Sequence, residues 1–474
     1  MWRLGVAGEG FPGVLSLVDD QPYLVVYLPN CEDGLGGTAL LNATEPPSQP
    51  TLVGDSRDGI FTLDRCVRRN LRRVGSRIEL ELSPCTVWRW HKQLDIDGLV
   101  AGYAIQVPGL HNVLSTFEVR THSFMKTYPG ADPEADSAKL HALTGAEHAV
   151  IVRKGPTPAA DIRYRGKAFA VELFSWLGHG WSSHEGVDVQ SRDSIQIRGD
   201  NASLKETADV AREVQAFLSV FCMGPIAPSS VTAHPDPDDL PAHRIWDLAR
   251  CARLTTELNV HQVWFRLGRE PETFRRALQR WFDVDEERRL ARWLICDALE
   301  QTTLSTSRFL GVAQAWEILG RAFHDGRRHD KSALSDASAE IHPILERHLG
   351  TDAANRLVGG MLSSNTASFR DLVKAGLRKL PNFAAQSLCG DINAFAAKVA
   401  ATRNALTHMR GSKKLTLDDA AAAAGDLTLK LLTAYCILEA VELGLPMSNL
   451  QSVLRHNDLA RMATWSGSTI RAII

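Results

Sequence analysis

The stretch Cys389-Gly-Asp-Ile392-Asn-Ala-Phe395-Ala-Ala-Lys-Val399-Ala-Ala-Thr402-Arg403-Asn404-Ala-Leu406-Thr-His408-Met409 carries the reading of this chain. Ile392, Phe395, Val399, Thr402, Leu406 and Met409 are spaced 3, 4, 3, 4 and 3 residues apart. That is the period of a helix with a narrow apolar seam packed on a neighbouring helix. The spacing predicts a helix over Cys389–Met409, a turn at Gly411-Ser-Lys-Lys414 with Gly411 suited to ending the helix, and a second long helix over Leu417–Leu443. Together they make an antiparallel helical hairpin. At about 100° per residue, with Arg403 at zero, Asn404 lies near 100°, His408 near 140° and the seam near 280°. Asn404 and His408, at i and i+4, therefore stack on a face turned away from the seam, and Arg403 sits at its border. A cation, an amide and an imidazole converge there. The same pattern also suits a solvated helix end whose cations complement the helix dipole.

Outward from this hairpin, helical spacing continues over Glu270–Phe282, Glu286–Glu300, Ser305–His324, Ser332–Leu349, Ser368–Lys379 and Ser448–Trp465. The texture changes at Ser203. From there to Cys222 the pattern is helical, and Ser203 with Glu206 forms a capping box. His234-Pro-Asp-Pro-Asp-Asp-Leu-Pro241 reads as a loop or linker. Before Ser203 the chain reads as mainly β, with strands expected at Gly13–Val18, Tyr23–Leu28, Thr51–Gly54, Ile60–Leu63, Arg77–Leu82, Val100–Val107, Ala149–Arg153, Lys167–Leu173 and Ser194–Arg198. The fold class expected is α+β: a β-rich N-terminal domain over residues 1–200, a helical connector over 201–302 and a four-helix-type bundle over 303–474.

The 474 residues, 44% hydrophobic and 23% charged, are ordinary for a globular chain of two or three domains and exclude disorder or a collagen-like class. The most apolar run, Leu427 to Leu445, is interrupted by Lys430, Glu439 and Glu442, so no membrane partner is expected. The start lacks the apolar stretch of a secretory signal, and the eight cysteines form no CxxC pair. A cytoplasmic location follows as the expectation. Net charge is −2, yet residues from Thr303 onward carry 20 Lys and Arg against 15 Asp and Glu, a local excess of +5. That bias permits a phosphate-bearing partner.

Several other signals carry less. Gly8-Glu-Gly10-Phe-Pro-Gly13 matches a dinucleotide fingerprint in letters, but Pro12 and the β-like Val14–Val18 follow where a helix is required. His179, His184 and Glu185 lack helical ligand geometry and read as loop residues, so no metal is expected. Asp95 and Asp97 read as a turn. Arg65, Arg68, Arg69, Arg72, Arg73 and Arg77 form a dense basic run, either a solvated face between two strands or an RNA-contacting patch centred on Arg68 and Arg69.

Arg403-Asn-x3-His408 near the end of one long helix, followed by a returning helix, resembles the HEPN superfamily of RNA-cleaving helical domains. Phe11-Pro-Gly-Val-Leu-Ser-Leu17, Thr51-Leu-Val-Gly-Asp55, Gly59-Ile-Phe-Thr-Leu-Asp-Arg-Cys66, Ser203-Leu-Lys-Glu206 and Phe217-Leu-Ser-Val220 are similar to one branch, the ApeA-like anti-phage HEPN proteins. Arg308-Phe-Leu-Gly-Val-Ala-Gln-Ala-Trp-Glu317 resembles the helix that opens that branch's HEPN domain, and Glu317 and Arg308 suit either the cleft or helix packing. The resemblance implies a metal-independent endoribonuclease without cofactor, acting as a homodimer in abortive, anti-phage defence. RNA, tRNA among the candidates, would be the substrate, with a phage-derived trigger sensed by the N-terminal domain. It implies that Arg403, Asn404 and His408 are catalytic, with weaker RNA contacts from Arg410, Lys413, Lys414, Arg68 and Arg69. The alternative is a catalytically idle HEPN dimer that binds RNA or a nucleotide.

Overall fold

In a computed structural model of the chain, the residues described are 2–4, 10–18, 21–29, 40, 42, 44, 50–74, 77–107, 110, 117–123, 148–154, 159–182, 186–226, 228–247, 270–301, 303–324, 330–363, 366–409, 415–448 and 450–464. Among them, one compact unit takes in those up to 218, 226–247 and 270–283, and a second takes in 219–225 and those from 284 onward.

The first unit begins with β1 (Trp2–Leu4), β2 (Gly13–Val18), β3 (Gln21–Pro29), β4 (Leu52–Ser56), β5 (Gly59–Asp64), β6 (Val67–Val74), β7 (Arg77–Ser83) and β8 (Thr86–Trp90). It continues with β9 (Gly102–Gln106), β10 (Phe117–Ser123), β11 (His148–Lys154), β12 (Ala159–Tyr164), β13 (Lys167–Ser182) and β14 (Gly186–Gly199). Helix α1 (Leu204–Cys222) follows, then β15 (Ser230–His234), β16 (Ala242–Asp247) and α2 (Pro271–Phe282). A ten-stranded antiparallel sheet runs β1-β4-β5-β8-β16-β15-β9-β14-β13-β12, a four-stranded sheet runs β2-β3-β7-β6, and β10 pairs with β11. Period-2 patterning fixes which face is covered. Leu24, Val26 and Leu28 of β3 and Leu80 and Leu82 of β7 turn into one core with Leu52 of β4, Leu63 of β5 and Val87 of β8.

The expected strands are present, most extended by a residue or more, and Ser203 caps α1 as its sequence predicts: Ser203 N donates to Glu206 Oε2 at 2.9 Å and Glu206 N to Ser203 Oγ at 3.2 Å. Residues 201–302, however, are not all helical. His234–Pro241 is the turn of a β-hairpin, and its strands β15 and β16 pair with β9 and β8 inside the large sheet. Neither strand is long, and beyond pairing with each other they rely on β9 and β8, neighbours remote in sequence that local periodicity does not register. The arginine run also differs from expectation. Most of it lies within β6, an edge strand, rather than between strands.

The second unit holds α3 (Glu286–Glu300), α4 (Thr306–Phe323), α5 (Lys331–Leu349), α6 (Thr351–Ser363), α7 (Phe369–Leu377), α8 (Asn382–Cys389), α9 (Ile392–His408), α10 (Leu417–Glu442), α11 (Leu450–His456) and α12 (Asp458–Thr464). Helices α6 and α8 have no counterpart in the expected elements, the helix expected from Cys389 begins only at Ile392, and the single helix expected over Ser448–Trp465 is two. Gly390, at φ 62°, ends α8 before Asp391 caps α9, and Asn457 separates α11 from α12 by donating to the Cys222 carbonyl at 2.9 Å. Helices α4, α7, α9 and α10 pack together into the bundle that carries the arginine–histidine motif. Trp316 of α4 fills its centre, donating from Nε1 to the Leu431 carbonyl at 3.0 Å with its ring edge-on to Tyr435. Helix α7 lies so close to α4 that a Cβ on Gly320 would fall 2.6 Å from the Leu372 carbonyl oxygen, and one on Gly376 2.7 Å from the Trp316 ring.

By length and composition α10 is apolar enough to cross a membrane, with a mean hydropathy of 1.4 over its best window, but two thirds of that window is buried inside the protein. Its one fully buried carboxylate, Glu439, receives Arg288 Nε at 2.8 Å and Arg292 Nη2 at 3.0 Å, both from α3. Burial alone would raise the Glu439 carboxyl, but Arg292 and Arg288 overcome that effect and hold it down to about 2.

Glu439→Gln strands two guanidinium groups, one of them 2% exposed, and lowers stability by about 3–5 kcal/mol in chemical denaturation. Because the folded carboxyl titrates below its ordinary value of 4.5, its contribution is complete above that pH and drains away as pH falls towards about 2; the variant's acid-unfolding curve flattens accordingly. Gly320→Ala forces α7 off α4 and costs roughly 1–3 kcal/mol, read as a lowered midpoint in the same titration.

Candidate active site

Helix α9 starts at Asp391, whose side chain accepts from Ala394 N, and ends at Met409, which adopts the left-handed conformation at φ 48°. Phe395, Ala396, Val399, Thr402, Ala405 and Leu406 are buried, so the seam expected from spacing is the packed face. Met409 is the exception. It leaves the seam because the chain reverses there, and it is 73% exposed. Asn404 and His408 are exposed and Arg403 is half-buried, the placement that the helical wheel predicts.

Arg403 is the best-held member of the motif. Its Nη2 lies 3.4 Å from Glu317 Oε2 of α4, its Nη1 donates to Asn404 Oδ1 at 3.4 Å, and its guanidinium carbon stands 5.3 Å from the centre of the Phe369 ring on α7. Three helices thus converge on one cation. Glu317 also receives Arg321 Nη2 at 3.0 Å, so one carboxylate is shared by two guanidinium groups. The stack on Phe369 and the in-plane bonds to Glu317 and Asn404 restrict the guanidinium without covering it, and the side chain stays 32% exposed.

Of the residues read from sequence, Glu317 does reach Arg403. Arg308 does not belong to this cluster. It is buried at the start of α4, donates from Nη1 to the Thr303 carbonyl at 3.4 Å, and burial lowers its pKa from the usual arginine value. Phe369 is the contributor that sequence reasoning missed, because its role depends on the α4–α7 approach. Arg410, Gly411, Lys413 and Lys414 lie outside the described residues, as do His184 and Glu185.

In the first unit, Arg72 and Arg77 are taken up by Glu79 at 2.7 and 2.8 Å, while Arg69 donates to Ser83 Oγ at 3.1 Å. Arg69 is exposed and Arg68 partly so, on an edge strand. The basic run is therefore about half neutralised by its own sheet. Asp95 forms the expected turn, accepting from Asp97 N at 3.1 Å. On the open face of the large sheet a cavity of about 470 Å³ is floored by Gly102 and Ala104 and edged by Gln196, Arg198, His234 and Pro237. Burial, then the neighbouring His243, lowers the His234 pKa from its ordinary value. Among the described residues no group of three or more His, Cys, Asp or Glu is arranged to hold a metal.

Residues 310–447 match the family model described as Apea-like HEPN, and the match spans Glu317, Phe369 and the whole of the arginine–histidine motif. No curated protein and no solved structure matches the chain. An HEPN domain suggests a nuclease-like or RNA-related role, since such domains are generally ribonucleases. Residues 310–447 thus form an Apea-like HEPN domain within the helical second unit of a chain whose first unit is β-rich.

Proposed function

We propose that the protein is a metal-independent endoribonuclease acting in anti-phage, abortive defence from a composite site on a homodimer. The observation that carries this reading is the convergence of Glu317, Phe369 and Asn404 on Arg403, one helical turn from an exposed His408, within an HEPN domain. RNA brings its own nucleophile, the 2′-hydroxyl, so the protein needs only to move protons and stabilise charge. A His408 imidazole accepts the 2′-hydroxyl proton as that oxygen attacks the adjacent phosphorus. The P–O5′ bond breaks, and a second imidazole protonates the departing 5′-oxygen. Arg403 donates two hydrogen bonds to the phosphate as its charge builds, and Asn404 orients a phosphate oxygen or the imidazole without titrating. The products are a 2′,3′-cyclic phosphate and a 5′-hydroxyl. One such set supplies a single imidazole; a two-fold partner supplies the second, which is why the site is assigned to a dimer.

The first unit, under this proposal, restrains the nuclease and receives a phage-derived trigger, and the protein works in the cytoplasm. Single-stranded loops such as those of tRNA suit a shallow, exposed site, because their bases and backbone are splayed out. A second reading, an idle dimer that binds RNA or a nucleotide, draws on the Glu317 contact, which partly neutralises Arg403.

His408→Ala and Arg403→Ala each reduce RNA cleavage by about a thousandfold or more, or relieve growth arrest on expression, while melting temperatures move by only a few degrees because both side chains reach solvent. Cleavage that persists undiminished in either variant overturns the assignment of the nuclease site to this motif, and a wild type that binds RNA without cutting it favours the binding module. Cleavage abolished by a chelator overturns the metal-free mechanism. Arg68→Glu with Arg69→Glu weakens RNA binding and flattens its dependence on salt by about two counter-ions, measured by fluorescence anisotropy across a salt series. An unchanged slope assigns those arginines to the solvated sheet edge.

A further inference from the structure

Helix α4 carries a cation where its own dipole disfavours one. Arg308, its third residue, is 6% exposed and lies in the turn that holds the positive end of that dipole. A helical side chain leans towards the N-terminus of its helix, so the long stem draws the guanidinium back past the first turn. There Nη1 reaches the Thr303 carbonyl at 3.4 Å, the guanidinium's sole hydrogen bond among the described residues, while the buried Nε donates to nothing. No carboxylate among the described residues pairs with it. The acids just before it in the chain are turned elsewhere: Asp297 receives Gln301 Nε2 at 2.9 Å, and Glu300 is pushed up to about 7 by burial and then by Asp297, with no cation holding it down. Asp426 of α10 pairs with Lys430 at 3.2 Å. A buried charge with no counter-ion is costly, and a guanidinium cannot escape that cost by losing its proton.

The first turn of α4 adds donors of its own. The Thr306 and Ser307 amides, the first two of the helix, meet no acceptor among the described residues. Ser305 Oγ accepts from Arg308 N at 3.1 Å and lies 2.9 Å from Ser307 Oγ, which makes a hydroxyl pair beside those amides. Thr303, Thr306 and Ser307 are exposed, so solvent reaches the turn to which the guanidinium is drawn.

We infer that Arg308 and the first turn of α4 form a binding site for a phosphoryl group, carried by free phosphate or by a mononucleotide. Two amides, a hydroxyl pair and a planar guanidinium offer donors from several directions, which suits a tetrahedral ion; a carboxylate, with two oxygens, would satisfy the guanidinium alone. The arginine and the helix end together present roughly +1.5 charges, close to the charge of about −1.5 to −2 on a phosphate monoester near neutrality. An RNA strand lying on the arginine–histidine motif is not the occupant. Nine residues separate Arg308 from Glu317, about 14 Å along α4 and about 180° around it, so Arg308 lies on the side of the helix opposite the carboxylate that meets Arg403.

The test is isothermal titration calorimetry on the full-length Arg403→Ala protein, whose motif no longer offers its own guanidinium, with inorganic phosphate and separately with adenosine 5′-monophosphate at constant ionic strength. The expected result is one saturable phosphate site per chain, weakened at least about tenfold when Arg308→Met is added. A tighter adenosine monophosphate site that Arg308→Met also weakens assigns the phosphoryl group to a nucleotide; an equal or weaker one assigns it to the free anion. Without phosphate, the methionine variant is expected to melt no lower than its parent, since an uncompensated buried charge is gone, and it loses the rise in melting temperature that phosphate gives the parent. Should the methionine variant fail to fold, Arg308→Lys keeps the charge without the planar fork and is expected to weaken phosphate severalfold. Absence of saturable phosphate binding in the Arg403→Ala protein, or binding that substitution of Arg308 leaves unchanged, overturns the inference. So does a loss of RNA affinity in Arg308→Met as large as that in Arg403→Ala, which places the arginine on the path of the RNA. The phosphate readings stand whether or not the protein cuts RNA, so failure here leaves the nuclease reading untouched.

Discussion

A single carboxylate in the most apolar helix of the chain constrains the whole helical unit. Glu439 enters the core only because Arg292 and Arg288 come with it from α3, and their combined attraction outweighs the burial that would otherwise neutralise it. A buried ion pair of this kind adds little net stability over well-packed apolar residues, but it tolerates few alternative arrangements. It ties α3 to α10 in one register. Helix α10 is in turn the wall on which α4 and α9 pack, so the position of the motif-bearing helix traces back to this contact.

The second constraint is steric. Helix α7 approaches α4 where Gly320 leaves room for the Leu372 backbone and Gly376 for the Trp316 ring. That approach brings Phe369, at the first turn of α7, under the guanidinium of Arg403, and aligns Glu317, one turn before Gly320, with the same group. Arg403 is held by the core, whereas His408, one turn further along α9, faces solvent. A rigid cation beside a free imidazole is the combination that phosphate chemistry with proton transfer asks of a protein. The two differ because one lies at the border of the buried seam and the other opposite it.

Much of this was legible in the chain itself. The 3-4 spacing from Ile392 to Leu406 located α9 and its buried face, and the angular argument placed Arg403, Asn404 and His408 where the structure has them. Capping chemistry located the start of α1 at Ser203. Where the reading slipped, the cause was tertiary. Strands β15 and β16 are stabilised by β8 and β9, more than a hundred residues away in chain order, so the turn between them reads locally as a linker. Met409 has the right spacing for the seam but sits where the backbone reverses, and a left-handed residue no longer follows the helical wheel.

Sequence alone determined the period of the helices, the outward aim of the imidazole and the presence of an arginine beside it, since these depend on spacing within one helix. It also supplied the resemblance to the Apea-like HEPN family. Only the tertiary structure decided what holds that arginine, because Glu317 and Phe369 lie 86 and 34 residues away and meet it through two helix contacts that no local pattern encodes. It likewise decided which part of α10 is packed away, since two thirds of its most apolar window is buried among neighbours that hydropathy does not specify.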